Sequence, residues 1–241
     1  STYYFAGNFD GGNRTISGIL PVTDFKGFGL FGYTNAVNIS NLTVQYKLTT
    51  VSTSEQAGGL VGQAGTTTSS TTKSYFTNCH VTNFKLSISG SSADFGGIIG
   101  VAYNTIVMDN CSAKSITIST TASASGSGGG LIGSHSNAVT ITNSSCYNST
   151  ITMGYTAGGL TGEDYGGTTT FENCTVKSCT IKGQFAGGLE PGGYHKTNAT
   201  RCSVISTTIT ATGSAARAGG IIGNTSRACD IQECYVDATI T

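Results

Sequence analysis

Gly58-Gly59-Leu60-Val61-Gly62 returns as Gly96-Gly97-Ile98-Ile99-Gly100, then as Gly129-Gly130-Leu131-Ile132-Gly133 and Gly158-Gly159-Leu160-Thr161-Gly162. Gly187-Gly188-Leu189 and Gly219-Gly220-Ile221-Ile222-Gly223 complete the series, and Gly29-Leu30-Phe31-Gly32 is a variant first copy. The second glycine falls at 29, 59, 97, 130, 159, 188 and 220, a period near 30 residues that absorbs insertions. A fixed period of this size marks a repeat architecture. Between the motifs lie short alternating runs: Phe84-Lys85-Leu86-Ser87-Ile88, Ile116-Thr117-Ile118, Ile151-Thr152-Met153, Thr180-Ile181 and Thr208-Ile209-Thr210. Period-two alternation with β-branched residues is strand, and no stretch carries a 3.6-residue period. Three short strands with glycine-rich corners make one coil of a right-handed parallel β-helix, whose strands pair with the coils above and below about 4.8 Å away. The chain reads as all-β, a β-solenoid of about seven coils in a single domain 1–241, with an opening segment 1–28 and glycine-motif repeats over 29–241. The glycine doublets read as corners that need φ values closed to other residues and as points of close approach between coils.

The composition excludes several function classes. Gly (35), Thr (39) and Ser (28) fill 102 of 241 positions, and only 24 residues are charged, 12 of each sign. A net charge of zero speaks against nucleic acid, which demands clustered Lys and Arg, and against electrostatic membrane docking. No apolar run approaches the roughly 20 residues of a membrane-spanning helix, so no membrane insertion is expected. The chain opens at Ser1 with no Met or apolar leader, as a processed mature chain or a fragment does. Asn-x-Ser/Thr sequons begin at Asn13, Asn38, Asn41, Asn110, Asn143, Asn148, Asn173, Asn198 and Asn224, nine of the 15 Asn. Chance gives about four at this Ser and Thr content, so the surplus points to a secreted, N-glycosylated protein.

A cysteine column keeps the same beat. Cys79, Cys111, Cys146, Cys174, Cys202 and Cys234 each follow a glycine motif by about 12 to 21 residues, with Leu42 in that place in the first coil. Stacked residues about 4.8 Å apart lie within disulfide reach, so vertical pairs such as Cys79–Cys111, Cys146–Cys174 and Cys202–Cys234 stand against an inward ladder of free thiols. Cys179 and Cys229 fall off the column, with local pairs Cys174–Cys179 or Cys229–Cys234 as the alternative. A one-dimensional row of thiols with no His beside it is a poor metal site.

The Gly-Gly-Leu-Val-Gly core followed by an Asn-Cys step, as in Thr77-Asn78-Cys79 and Phe171-Glu172-Asn173-Cys174, resembles the GLUG-type repeat of surface and secreted proteins. Phe5-Ala6-Gly7-Asn8-Phe9-Asp10-Gly11-Gly12-Asn13-Arg14-Thr15-Ile16-Ser17-Gly18 is similar to the usual opening of such β-helices. The resemblance implies stalks, adhesive or structural parts, and repeats that stand beside peptidase domains. No His-Glu-x-x-His accompanies it here.

Catalytic constellations are scarce, and no cofactor is implied. After the glycine motif, successive coils carry Ser134-His135, Glu163-Asp164, Glu190-Pro191 and Tyr194-His195. Stacking makes His135, Glu163, Asp164, Glu190 and His195 neighbours on one edge. They form either a solvated turn edge or, as weak catalytic candidates (Glu163, Asp164, Glu190 and His195), a polysaccharide hydrolase or lyase pair, or a cation site. Thr-rich strands raise an outward threonine array of the kind seen on ice-binding solenoids, which Lys47, Lys85 and Lys182 would interrupt. Strand-like runs at both ends, without caps, favour end-to-end self-association. The expectation is therefore an extracellular structural subunit of a fibre, coat or stalk. A glycan-binding or adhesive module is the alternative, and a polysaccharide enzyme or ice-binding protein a lesser one.

Overall fold

The computed structural model describes residues 4–19, 27–47, 50–53, 56–67, 71–88, 94–120 and 126–241. Part of the opening segment, residues 1–3 and 20–26, lies outside them. Among the described residues there is no helix; every element is a short or bent strand, and every pairing is parallel. Three of the turns carry five strands rather than three, and in the others neighbouring segments run together, as Lys73–Thr82 and Ser203–Ala211 do. In one five-strand turn the strands are Ser127–Gly129, Ile132–His135, Val139–Thr142, Ser145–Tyr147 and Thr150–Thr152. Their partners one turn on are Thr156–Gly158, Thr161–Asp164, Thr169–Glu172, Thr175–Lys177 and Thr180–Gly183. The first strands stack into a six-stranded sheet, and the other columns join in a 24-stranded network that closes the solenoid. The variant copy at Gly29 contributes only the bridge Phe28↔Ala57, so six turns, not seven, carry a paired glycine strand. The opening segment is itself a rung: Phe5–Ile19 pairs with Phe31–Tyr46.

The glycine doublets do not turn the chain. None of them has a positive φ. They are small because the first and second strands lie almost in contact. A Cβ on Gly97 would overlap the Gly130 carbonyl and come within 2.8 Å of both Ala113 Cβ and Ile116 Cδ1. The close-approach part of the sequence reading holds at these positions, and the φ part does not.

The corners are turned by other residues. Asn13, Asn41, Asn78, Asn110, Asn143 and Asn173, followed by Arg201 and Glu233, sit at φ between 50° and 57° at the corner between the third and fourth strands. Asn83, Ser115, Asn148, Ser178 and Ser206 do the same one corner later, at φ between 49° and 61°. Asn is the side chain that tolerates left-handed backbone best after Gly. The stacked Asn also bond one another: Asn78 Nδ2 donates to Asn41 Oδ1 at 3.0 Å, and Asn173 Nδ2 to Asn143 Oδ1 at 3.2 Å.

Inside, rows of apolar residues fill the bore. Ile39, Phe76, Met108, Ile141, Phe171 and Ala199 form one row, each in register with the next and each buried. Burying one such large side chain stabilises by about 1.5–3 kcal/mol. The rows of successive turns form one continuous core.

Candidate functional site

The strand after each glycine motif is buried at all four positions in four consecutive turns. The core covers one face and the glycine strand covers the other. Register aligns Ser134 with Glu163, and His135 with Asp164. Glu190 pairs with Ile222 and occupies the row of Val61, Ile99 and Ile132. The expected solvated edge is therefore an interior cluster. His135, Asp164 and Glu190 are 0% exposed and Glu163 is 4% exposed. Only the side chain of His195, 42% exposed, reaches solvent.

The five residues do converge, in two groups. In the first, His135 Nδ1 lies 3.8 Å from Asp164 Oδ1, and His135 Nε2 lies 3.9 Å from Glu190 Oε1. His195 Nδ1 approaches Asp164 Oδ1 at 3.4 Å from the outer side. Thr197 Oγ1 donates to Glu190 Oε2 at 2.7 Å, and Thr169 Oγ1 lies 3.2 Å from His135 Nε2. The backbone N–H groups of Gly166 and His195 donate to Asp164. Burial alone would push His135 down, but the hydrogen bond and charge of Glu190 and the charge of Asp164 outweigh it and raise its pKa. Burial raises Asp164, against the pull of the two histidines. The cluster can hold and share a proton. At this burial no substrate atom reaches His135, Asp164 or Glu190. Among the described residues no group of three or more His, Cys, Asp and Glu is placed to hold a metal ion.

Glu163 belongs to the second group, on the opposite face of the same strand. Its Oε2 accepts from Ser127 Oγ at 2.8 Å, and Ser134 Oγ donates to Asp94 Oδ2 at 2.6 Å. Burial raises both carboxyls. Glu163 lines a groove of about 180 Å³ walled by Tyr155, Phe185 and Tyr194 and floored by Pro191 and Gly192. Sequence spacing located the carboxylates; the aromatic walls were missed, because Phe185 opens one glycine strand, Tyr155 immediately precedes another, and both enter only through register.

The cysteine column differs from the sequence reading at one rung. Cys146 pairs with Ala113 and Val176, two residues past the column, and Ser144 stands in its place between Cys111 and Cys174. A Cys146–Cys174 disulfide therefore has no register to support it. All eight cysteines are free thiols, six of them buried. Each column thiol donates to the carbonyl two residues back, as Cys111 does to Asp109 at 3.3 Å and Cys174 to Glu172 at 3.4 Å. Ser144 repeats this to Thr142 at 2.7 Å and accepts the Cys111 N–H at 3.0 Å. Cys179 heads the equivalent position at the next corner, aligned with Ser149 and Thr207, so Cys174 and Cys179 occupy different corners. Its sulfur lies 4.0 Å from that of Cys146.

Six sequon asparagines (Asn13, Asn41, Asn110, Asn143, Asn148 and Asn173) are left-handed corner residues. In five of them an inward residue and then an outward strand Ser or Thr follow, so the corner itself writes Asn-x-Ser/Thr; after Asn13 the exposed Arg14 of the first rung takes the inward place. The surplus of sequons has this backbone cause whether or not sugars are attached. Asn38, Asn198 and Asn224 lie on strands. The threonine row is more regular than expected. Thr117, Thr150, Thr180, Thr208 and Thr239 stack on five consecutive rungs. Lys85 sits in this row one rung before Thr117, and Lys182 sits in the neighbouring row, beside Thr152 and Thr210.

No family model, no curated protein and no solved structure matches the chain.

Proposed function

We propose that this chain is a structural building block of an extracellular, N-glycosylated fibre in which copies stack end to end. The observation that carries the reading is the match between the two terminal rungs. The same apolar rows run through every described rung of the solenoid. The rows that end in Ile231 and Val236 begin at Phe9 and Ile16 in the first rung. Laid on a second copy in the same register, Ile231 meets Phe9, Val236 meets Ile16, and Glu233 stacks under Asn13 beside Arg14. Apolar rows continue and opposite charges meet. A head-to-tail contact of this kind does not close on itself, so it builds a filament. The glycan part of the reading rests on the exposure of Asn110, Asn143, Asn148 and Asn173.

Electron microscopy of the natively isolated protein tests the polymer. Filaments whose axial repeat equals one copy support it, and discrete short rods at all concentrations overturn it. Glycopeptide mapping of the same material tests the sugars. A second reading, ice binding, draws on the five-rung threonine row and its neighbour Thr152, Thr210 and Thr241. Thermal hysteresis in the purified protein supports it, and its absence removes it.

A further inference from the structure

The groove at Glu163 exists because two turns break the repeat together. Glu190-Pro191-Gly192-Gly193 replaces the usual motif end, and Gly192, at φ +117°, puts no side chain where the preceding turns carry Ser134 and Glu163. A Cβ there would collide with the Asn224 carbonyl. At the groove's outer lip Tyr165 and Tyr194 stack in consecutive turns, where the flanking turns place Ser136 and Ser226. They are 48% and 57% exposed. Opposite them Tyr155 and Phe185 meet edge to face, 5.3 Å apart at 85°. Between the two aromatic rows lie the Glu163 carboxyl and Thr156 Oγ1. Thr156 is 3% exposed, and its hydroxyl is turned to the Glu163 carboxyl, with no other partner among the described residues. The Glu163 carboxyl has about four acceptor sites, more than Ser127, Tyr165 and Thr156 fill, and a ligand hydroxyl would take one that remains.

We propose that this groove is a saccharide site that holds one pyranose ring, its C–H face against Tyr194 and its hydroxyls on the Glu163 carboxyl. The volume fits one ring: about 180 Å³ is below the roughly 300–1,000 Å³ of pockets that enclose a drug-sized ligand. Aromatic faces and convergent polar groups offer stacking and orientation together. A cationic ligand would want the same aromatics. However, Arg217 already lies over the Phe185 ring at 5.7 Å and is tied to Asn224 Oδ1 at 2.9 Å. A fixed guanidinium at the rim repels a second cation. The ring has two sources of the same chemistry: a free glycan, or the chain's own N-linked sugar at Asn224, a groove-lining residue whose Asn224-Thr225-Ser226 is a sequon.

The experiment uses the full chain from two sources. Chain produced without N-glycosylation is titrated calorimetrically with the methyl glycosides of glucose, galactose, mannose and N-acetylglucosamine, and with tetramethylammonium. Chain isolated from its natural source is mapped for a glycan at Asn224, and the release of that glycan by an endoglycosidase is timed. A free-glycan site gives saturable binding of at least one glycoside, weakened about tenfold by Tyr194→Ala, the loss of one aromatic face. Glu163→Gln weakens it too, and both variants keep circular dichroism and thermal midpoints near wild type. An own-glycan site gives an occupied Asn224 whose sugar is released faster from Tyr194→Ala than from the unaltered chain. The proposal is overturned if no glycoside binds and Asn224 is bare or its sugar is released equally fast from both. It is also overturned if tetramethylammonium is the only probe bound, or if Tyr194→Ala leaves glycoside affinity unchanged.

Discussion

Ser144→Ala isolates what the inward hydroxyls and thiols do at the corners. Ser144 is 1% exposed and bridges two turns: its Oγ donates to the Thr142 carbonyl at 2.7 Å and accepts the Cys111 N–H at 3.0 Å. Truncation does not orphan the carbonyl, because the Asn110 N–H also reaches it at 3.1 Å. It does orphan the Cys111 N–H, at a residue 1% exposed and closed to water. A buried unsatisfied donor costs about 1–3 kcal/mol. In a domain of this length each kcal/mol moves the midpoint by roughly 2–4 °C, so Ser144→Ala lowers Tm by about 2–12 °C. Ser144→Cys restores the residue of the flanking rungs, keeps both bonds and stays near wild type. Ser145→Ala, one residue outward, changes stability by no more than about 0.5 kcal/mol. Differential scanning calorimetry of the three variants decides the matter. A neutral Ser144→Ala, or a Ser144→Cys as unstable as the alanine variant, refutes the bridging role.

Gly97→Ala forces a methyl into the Gly130 carbonyl; it costs more than the ~1–3 kcal/mol of ordinary overpacking and yields little soluble folded protein. Gly213→Ala, with nothing within 4 Å of its Cβ, folds and shows only modest strain from φ +104°. The buried groups with raised values make stability fall as pH rises, while His80, held below its ordinary value by burial, acts in the opposite sense below about pH 6.5. Asp94, Glu163 and Asp164 keep their protons in the fold above their ordinary values, so stability is lost from about pH 4 upward as each folded pKa is passed. His135, raised above its ordinary value, adds a loss of the same sign above about pH 6.5. Urea midpoints of a His80→Gln variant, which removes the opposing histidine, that rise between pH 5 and 8 would show that these groups are charged and satisfied in the fold. Ellman's reagent labels Cys229 and Cys234 quickly in the native protein and all eight thiols in denaturant; fewer than eight in denaturant, without reductant, means disulfides exist.

The solenoid was legible because Gly-Gly-Leu-x-Gly recurs where backbone meets backbone, a constraint only glycine meets. The five-strand turn was not, because Asn and Ser corners such as Asn110 and Ser115 interrupt strands without any Gly or Pro to punctuate them. Counting residues from the glycine motif misplaced Cys146 by two, since insertions shift the count while register holds Ser144 under Cys111. The polar cluster was located correctly in the chain and wrongly in depth. A strand with Glu163-Asp164 reads as an edge, and only the glycine strand packed over it turns it inward. Lys182 seemed to break the threonine row until pairing placed it beside Thr152.

The direction of the strand pairing has a mechanical consequence. Each turn bonds the next through parallel strands, so the interstrand hydrogen bonds run along the stacking direction. Tension applied along that direction loads all the strands of an interface at once, and the bonds share the force. A sideways load on one strand engages only its own bonds and peels them in sequence. Such a molecule resists stretching far better than it resists peeling, and under pull it parts between turns before any single turn unravels.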